Sequence, residues 1–351
     1  MKINDVYYTT ILVAAIIVAT HCTPSTIKRG LSNSISSCLR SSREVGKEDT
    51  ELMETKISGP LSTSSKNLRA SRRGADNVVP NPQMQHDHSS VEEIDKNTKQ
   101  FLDSLKLNKY RRTKLEKNTR DQANAQLWHT ERRKRLTASN FGRVCKRTST
   151  VSCKSIVCDL MYGTFQSAAI DHGKAMEPKA IQCLQDKMHV VVTPCGLVVD
   201  KNLPYLAASP DGLVGKEYVV EVKCPFASKD TTDFAEAVKT KKITFSQTST
   251  RLELKKNHNY YYQIQGQLHM TQRKYCYFVV YTDHWAEVEI ITYDDSFWQD
   301  QMVQKLQQFY IECLLPEIIN PQYAEKNVVS DIRDPQSTLD DTKKKGKIGN
   351  L

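Results

Sequence analysis

The spacing of apolar and polar positions predicts a helical front, a β-rich centre and a helical end for this chain. Residues 91–125 carry apolar side chains at irregular helical spacing among many charges, which predicts one or two helices. Residues 128–144 predict a helix, a loop and a second helix. Residues 172–188 predict another helix, with Pro178 in its first turn, where the missing N–H costs little.

Short β-rich runs follow that helix, and they lie at His189–Thr193, Gly196–Val199, Leu206–Ala208 and Tyr218–Cys224. The polar stretch 227–257 predicts a mixture of helix and mobile loop. After it the pattern predicts a helix, two strands and a closing helix, at Asn259–Thr271, Lys274–Thr282, Ala286–Thr292 and Ser296–Leu315. This order predicts a mixed α/β fold with a central mixed sheet flanked by helices.

The front of the chain differs in character from the rest. Its apolar run, residues 11–19, is too short to span a bilayer comfortably and is followed by polar residues. Residues 1–22 therefore predict a secretory signal peptide, with a membrane anchor or a buried segment as alternatives. Residues 23–92 lack aromatic side chains and are rich in Ser, Lys and Arg, which predicts a disordered leader.

The remaining chain divides into three predicted parts. Residues 93–126 form a helical lead-in, residues 127–318 one folded domain, and residues 319–351 a polar, basic tail with four lysines between 343 and 347. No internal repeat is evident in the sequence.

Charge adds a candidate partner, and cysteine usage excludes some chemistry. Lys and Arg number 50 against 40 Asp and Glu, and the net charge of +10 fits either a polyanionic partner or ordinary solubility. The ten cysteines show neither a CxxC pair nor zinc-ligand spacing. They are too sparse for a disulfide-stapled miniprotein, so buried free thiols are expected.

The strongest chemical signal lies around Glu221 and Lys223. Alternate side chains of a strand share a face, so these two point the same way while Val220 and Val222 point into packing. An exposed strand with a surface ion pair is the alternative, although the flanking valines argue against simple exposure. Asp211 lies in a Pro-Asp-Gly turn ten residues before Glu221, a gap that can return the turn to the strand's polar face.

Two converging carboxylates would form a hard oxygen site suited to Mg²⁺ or Mn²⁺. A metal ion held there can activate water and stabilise charge on a phosphate. Lys223 would orient the nucleophilic water or stabilise the developing charge.

These residues resemble the PD-(D/E)XK nuclease signature, and the wider context resembles its YqaJ and lambda-exonuclease branch. Five blocks agree in order and spacing over residues 125–285. They are Trp128…Arg132…Leu136-Thr137-Ala138-Ser139; His172-Gly173-x-x-x-Glu177; Ala208-Ser209-Pro210-Asp211-Gly212-Leu213; Glu221-x-Lys223-Cys224-Pro225-Phe226; and Tyr260-x-x-Gln263-x-Gln265. The resemblance implies a restriction-endonuclease-like core.

The resemblance also implies residue roles and a substrate. Catalysis would fall to Asp211, Glu221, Lys223 and Gln265, and the metal ion to Glu177, Asp211, Glu221 and the Val222 carbonyl. Arg132, Ser139 and Ser209 would hold a 5′-terminal phosphate. For Arg132 a solvated basic face or localisation signal is the alternative, and for Ser139 a helix cap. The implied reaction is hydrolysis of DNA at duplex ends. The phage enzyme forms a ring, so a homo-oligomer is a further expectation.

The leader carries a second resemblance. Two tetrapeptides, residues 37–40 (Ser-Cys-Leu-Arg) and 66–69 (Lys-Asn-Leu-Arg), resemble the RxLR motif of oomycete secreted effectors, although both lack its first Arg and no Glu-Glu-Arg follows. This resemblance implies secretion and delivery to a target inside a host cell and its nucleus. Two hypotheses therefore remain: an active nuclease, or a non-enzymatic effector that uses the nuclease scaffold as a binding module. Without cleavage of residues 1–22, a nuclear or cytoplasmic protein is expected.

Overall fold

The computed structural model describes residues 91–163, 166–323, 332–336 and 338–339. The predicted signal peptide, all but the last two residues of the predicted leader, and the lysine-rich end of the tail lie outside the described residues. Within the described ranges, every helix is too short or too polar to cross a membrane.

Eight helices precede a long closing helical stretch in the described chain. They are α1 (Val91–Leu105), α2 (Lys109–Asn118), α3 (Gln126–Arg133), α4 (Phe141–Cys145), α5 (Lys154–Tyr162), α6 (Ala168–Met188), α7 (Phe234–Lys239) and α8 (Asn259–Thr271). The closing stretch comprises α9 (Asp295–Phe297), π-helical Trp298–Val303, α10 (Gln304–Phe309), π-helical Tyr310–Leu314 and α11 (Leu315–Ile319). Helices α1 and α2 occupy the region where the sequence predicts one or two helices.

The strands form two sheets, and the predicted mixed α/β architecture is confirmed. The strands are β1 (Leu136–Thr137), β2 (Val192–Thr193), β3 (Val198–Val199), β4 (Leu206–Ala208), β5 (Gly212–Val214), β6 (Tyr218–Lys223), β7 (Tyr275–Tyr281) and β8 (Ala286–Thr292). The larger sheet has the order β2-β5-β6-β7-β8, in which only β6 and β7 run parallel. A smaller sheet has the order β1-β4-β3, with β1 and β4 parallel.

Strand β6 lies between two layers of helix, and its residues alternate between them. Val220 and Val222 pack with Leu184 of α6. Val219 packs with Leu268 on the side of α8. The period of two therefore sends residues 219, 221 and 223 towards α8, as the sequence predicts for Glu221 and Lys223.

The predicted position of Pro178 in a first helical turn is wrong. Helix α6 begins at Ala168, four residues earlier than predicted, because Ser167 caps it by accepting from the Ile170 N–H at 3.3 Å. Pro178 therefore lies inside the helix. It cannot donate to the Lys174 carbonyl, so one helical hydrogen bond is missing beside Glu177.

The closing helical stretch builds a second core beneath the smaller sheet. Trp298 and Tyr310 are fully buried there together with Phe141 of α4. The Tyr310 ring stacks on Tyr205 at 4.5 Å, just before β4. This packing anchors the smaller sheet, whose strand ends carry two of the predicted site residues.

Candidate active site

Glu221 and Lys223 meet at the end of β6, on its α8 side. Glu221 is 1 % exposed, and the Lys223 ammonium pairs with its Oε1. Gln263 donates to the same Oε1 at 2.7 Å, and Gln267 donates to Oε2 at 2.6 Å. Each oxygen of this buried carboxylate thus has a donor, which offsets the cost of removing it from water.

The two glutamines reach Glu221 because they are four residues apart on α8. Residues at i and i+4 share one helix face, whereas a residue two positions on lies about 200° around the axis. Gln265 accordingly points away. Its Nε2 donates to the Thr292 carbonyl at 3.0 Å, and its Oε1 accepts from the Asp294 N–H at 2.8 Å. The structure therefore does not bring the predicted catalytic Gln265 to the site.

Asp211 lies where the sequence predicts it, against the polar end of β6. Its N–H donates to the Val220 carbonyl at 3.0 Å, and its Oδ2 accepts from the Val222 N–H at 2.7 Å. The next residue is Gly212, where a Cβ would lie 2.3 Å from a methyl carbon of Val192, so β2 can pack against the start of β5 only because this position has no side chain.

The backbone of Val222 faces the Asp211 edge. In an antiparallel pair, one residue exchanges both its N–H and its C=O with the same neighbour. The Val222 N–H points to Asp211, so its carbonyl points past the end of β5 on the same side. That orientation fits the predicted role of this carbonyl as a metal ligand.

Three carboxylates at the site act on one another through charge. Burial, and then the charge of Glu221, raises the pKa of Glu177, which projects from α6. Burial raises the pKa of Asp211 as well, and both glutamates add to that shift. The charge of Lys223 lowers both pKa values, but among the described residues three carboxylates share this one ammonium, so negative charge exceeds positive charge at this point.

Lys223 is held as an ammonium. Burial alone would lower its pKa, but the charges of Glu221 and Asp211 raise it above its ordinary value. The ammonium also lies over the ring of Tyr260, 4.9 Å from the centroid, which favours the charged form further.

The donor set suits a hard divalent cation in chemistry and charge. Carboxylate and carbonyl oxygens are the ligands that Mg²⁺ and Mn²⁺ prefer, and a cation would relieve the repulsion that raises the two pKa values. No three His, Cys, Asp or Glu side chains in the described ranges are yet gathered as a coordination shell. The Lys223 ammonium occupies Oε1 of Glu221 instead.

Arg132 and Ser209 are linked through Trp128. The indole Nε1 donates to the Ser209 Oγ at 2.9 Å, and the Arg132 guanidinium lies over the indole, 4.1 Å from its centroid. Burial lowers the pKa of Arg132 to about 10, so it keeps its charge at neutral pH. Among the described residues it has no acidic partner within 4.0 Å, which leaves it available to an anion.

Ser139 lies at the same sheet edge as Ser209. Thr137 and Ala207 pair in parallel strands, and each serine follows its strand's paired residue by two positions. Ser139 is exposed and lies in the 3₁₀ turn Ala138–Asn140, where its hydroxyl caps no helix. The alternative of a helix cap is therefore wrong for this residue.

The basic run 132–135 is not one solvated face. Arg135 is 4 % exposed and donates to the Pro204 carbonyl at 2.8 Å. Lys134 pairs with Glu131 at 2.6 Å. Of the four residues in this run, Arg132 is the one that contacts Trp128, which donates to Ser209. Ser209 lies two residues before Asp211.

Comparison with known proteins gives matches in one family and among solved structures. Residues 127–274 match the YqaJ-like viral recombinase domain. An alkaline exonuclease from Laribacter hongkongensis is 27 % identical, with 57 % of this chain and 96 % of that chain covered and a TM-score of 0.43. Its complex with dAMP is 25 % identical, with 57 % of this chain and 97 % of that chain covered and a TM-score of 0.44. A phage-related exonuclease from Haemophilus somnus is 12 % identical, with 55 % of this chain and 96 % of that chain covered and a TM-score of 0.38. No curated protein matches the chain in sequence.

Proposed function

We propose that this protein is a divalent-metal-dependent DNA nuclease, whose site lies in the region, residues 127–274, that matches the YqaJ-like viral recombinase domain. The observation that carries the proposal is the convergence of Asp211 and Glu221 with Lys223 at one strand end. Two acids and a buried ammonium at such a point suit phosphodiester hydrolysis.

The residues divide the chemistry among them. Mg²⁺ or Mn²⁺, held by Asp211, Glu221 and the Val222 carbonyl with Glu177 nearby, would activate water and stabilise charge on the phosphate. Lys223, charged at neutral pH, stabilises the developing negative charge or orients the attacking water. Gln263 and Gln267 are positioning residues, because they hold Glu221 in one orientation through both of its oxygens.

We propose that the enzyme is an exonuclease acting at duplex ends. The Arg132 guanidinium has no acidic partner within 4.0 Å among the described residues and lies over Trp128, which donates to Ser209. Ser139 follows the strand that pairs with the one before Ser209. Such a set suits a terminal 5′-phosphate. Because Ser209 is two residues from Asp211, a phosphate held there stands next to the hydrolytic site.

The test uses the full chain, 5′-phosphorylated linear duplex DNA and Mg²⁺. We expect degradation that stops in EDTA and falls by about 10² or more in Lys223→Ala. The matched control, Lys216→Ala, removes an exposed lysine at the β5–β6 hairpin and retains activity. A wild-type chain that leaves linear DNA intact with either metal would refute the nuclease proposal. Degradation of circular DNA at the same rate would refute action at ends.

We also propose secretion, supported by the apolar run at residues 11–19 and the polar leader behind it. In this proposal residues 1–22 are removed and the remaining chain acts inside a host cell. N-terminal sequencing of protein from the native secretion medium checks it, and a first residue still at Met1 would refute cleavage.

If the chain binds DNA without hydrolysing it, the scaffold acts as a binding module in place of an enzyme. Light scattering tests the expected homo-oligomer.

A further inference from the structure

Three basic side chains gather at the start of α8, beside the proposed active site. Lys146 Nζ donates to the carbonyl of Asn257 at 3.3 Å, immediately before His258. Lys255 lies three residues before His258, and its Nζ donates to the Thr244 carbonyl at 2.6 Å. We call Lys146, Lys255 and His258 the lysine–histidine cluster.

The cluster connects to Lys223 through one aromatic ring. The His258 ring packs edge-on against Tyr260 with centroids 4.5 Å apart, and the Lys223 ammonium lies 4.9 Å from the centroid of the same Tyr260 ring. Tyr260, Gln263 and Gln267 follow one face of α8, so the cluster lies at the end of the same face that holds Glu221.

His258 is fixed with one donor free. Its Nδ1 accepts from the Tyr260 N–H at 3.3 Å, so the proton of the neutral ring lies on Nε2. Phe245 packs against the ring on another side, with centroids 5.6 Å apart. The ring therefore has one orientation, with an N–H donor that no described group accepts.

Among the described residues, the two lysines of the cluster have no acidic partner. Neither Lys146 nor Lys255 has a carboxylate within 4.0 Å among the described residues, and both donate to backbone carbonyls. Burial, then Lys146, Lys255 and Lys223, lowers the pKa of His258. Like charges gathered without a counter-ion favour a polyanionic ligand.

We propose that the lysine–histidine cluster is a second phosphate-binding subsite, which holds a backbone phosphate of the DNA neighbouring the phosphodiester that is cut beside Lys223. The inference rests on the proposed function for the identity of its ligand. The two lysines supply charge, and His258 Nε2 supplies a directional hydrogen bond. Tyr260 contacts both His258 and Lys223, so its ring links the two proposed phosphate positions.

The experiment measures DNA binding by the full chain in EDTA, so that hydrolysis does not interfere. The probe is a short, fluorescently labelled, 5′-phosphorylated DNA duplex titrated between about 50 and 200 mM salt. The variants are Lys146→Gln, Lys255→Gln, both together, and His258→Asn, which retains a side chain able to cap α8. The matched control is Lys117→Gln, which changes an exposed lysine on α2.

We expect each lysine variant to reduce the slope of log K against log salt by about 1, and the double variant by about 2. Lys117→Gln should keep the wild-type slope. His258→Asn should raise the Kd for the same duplex several-fold, because it removes the Nε2–H donor. Melting curves identify any variant that fails to fold. If the double variant fails to fold, the salt slopes of the single lysine variants test the subsite.

Wild-type slopes in the double variant would overturn the subsite while leaving the nuclease proposal intact. A wild-type chain that binds without cleaving would refute the nuclease proposal and leave the subsite in place. Absence of binding by the wild type would overturn the subsite whatever its cleavage activity.

Discussion

Gln265 is a catalytic residue according to the motif, but its position on α8 points it away from Glu221 and gives it a structural role. Its side chain is fully buried and joins α8 to the end of β8 through two hydrogen bonds, at 3.0 Å to the Thr292 carbonyl and 2.8 Å from the Asp294 N–H. Gln265→Met keeps the length of the side chain and its helix propensity but removes both bonds.

The expected loss in unfolding free energy follows from those two bonds. Each leaves a backbone group without its partner, at about 1–3 kcal/mol. The added apolar surface of Met recovers part of this, so we expect a net loss of about 2–4 kcal/mol. Activity per folded molecule should stay within about threefold of wild type, because no bond to Glu221 is lost.

Urea unfolding and DNA hydrolysis, measured on the same preparations, check this prediction. Gln263→Met is the contrasting variant, because it removes a 2.7 Å bond to Glu221 and should lower kcat. Gln308→Met is the matched control. Gln308 is exposed and donates to Glu312 at 3.1 Å, so its loss should cost less than about 0.5 kcal/mol. Wild-type stability with lost activity in Gln265→Met would refute the assignment.

Three further predictions concern the site itself. Trp128→Phe removes the bond to Ser209 and should raise KM several-fold for 5′-phosphorylated ends only, as a comparison with 5′-hydroxyl ends would show. Asp211→Asn should raise the metal-free melting temperature, because burial and two glutamates raise the pKa of Asp211, so the wild type loses stability as pH rises from the ordinary carboxyl pKa through the raised one. The gain over wild type should grow as pH rises above the ordinary carboxyl range, and a gain independent of pH would contradict the charge argument. Tyr260→Leu should reduce kcat about fivefold through loss of the contact with Lys223, which is worth about 1 kcal/mol, whereas Tyr260→Phe should not.

Local periodicity was enough to predict the centre of the site. Strand alternation placed Glu221 and Lys223 on one face, and the ten-residue gap returned Asp211 to that face, where the Val222 N–H holds it. Both inferences depend on backbone geometry within one hairpin. Such geometry follows from sequence because few distant residues affect it.

The missed features depend on distant contacts. Gln267 can bond Glu221 only because its face of α8 meets β6. Helical spacing shows that residues 263 and 267 share one face and that residue 265 lies on another, but it does not show which face meets β6. Strand β1 has two residues inside a segment predicted as helix and loop, and its pairing with β4 defines it. The early start of α6 depended on a single capping residue, Ser167.

The bond between the Asp211 side chain and the Val222 N–H would limit which ions the proposed metal site can select. It commits Oδ2 to the backbone and leaves Oδ1 as the atom able to reach a cation without breaking that bond. Ca²⁺ takes six to eight oxygens, often in bidentate fashion, whereas Mg²⁺ keeps several waters and needs one or two carboxylate atoms. In the proposed site this bond would therefore favour Mg²⁺ over Ca²⁺, because it leaves one Asp211 oxygen where bidentate Ca²⁺ binding needs two.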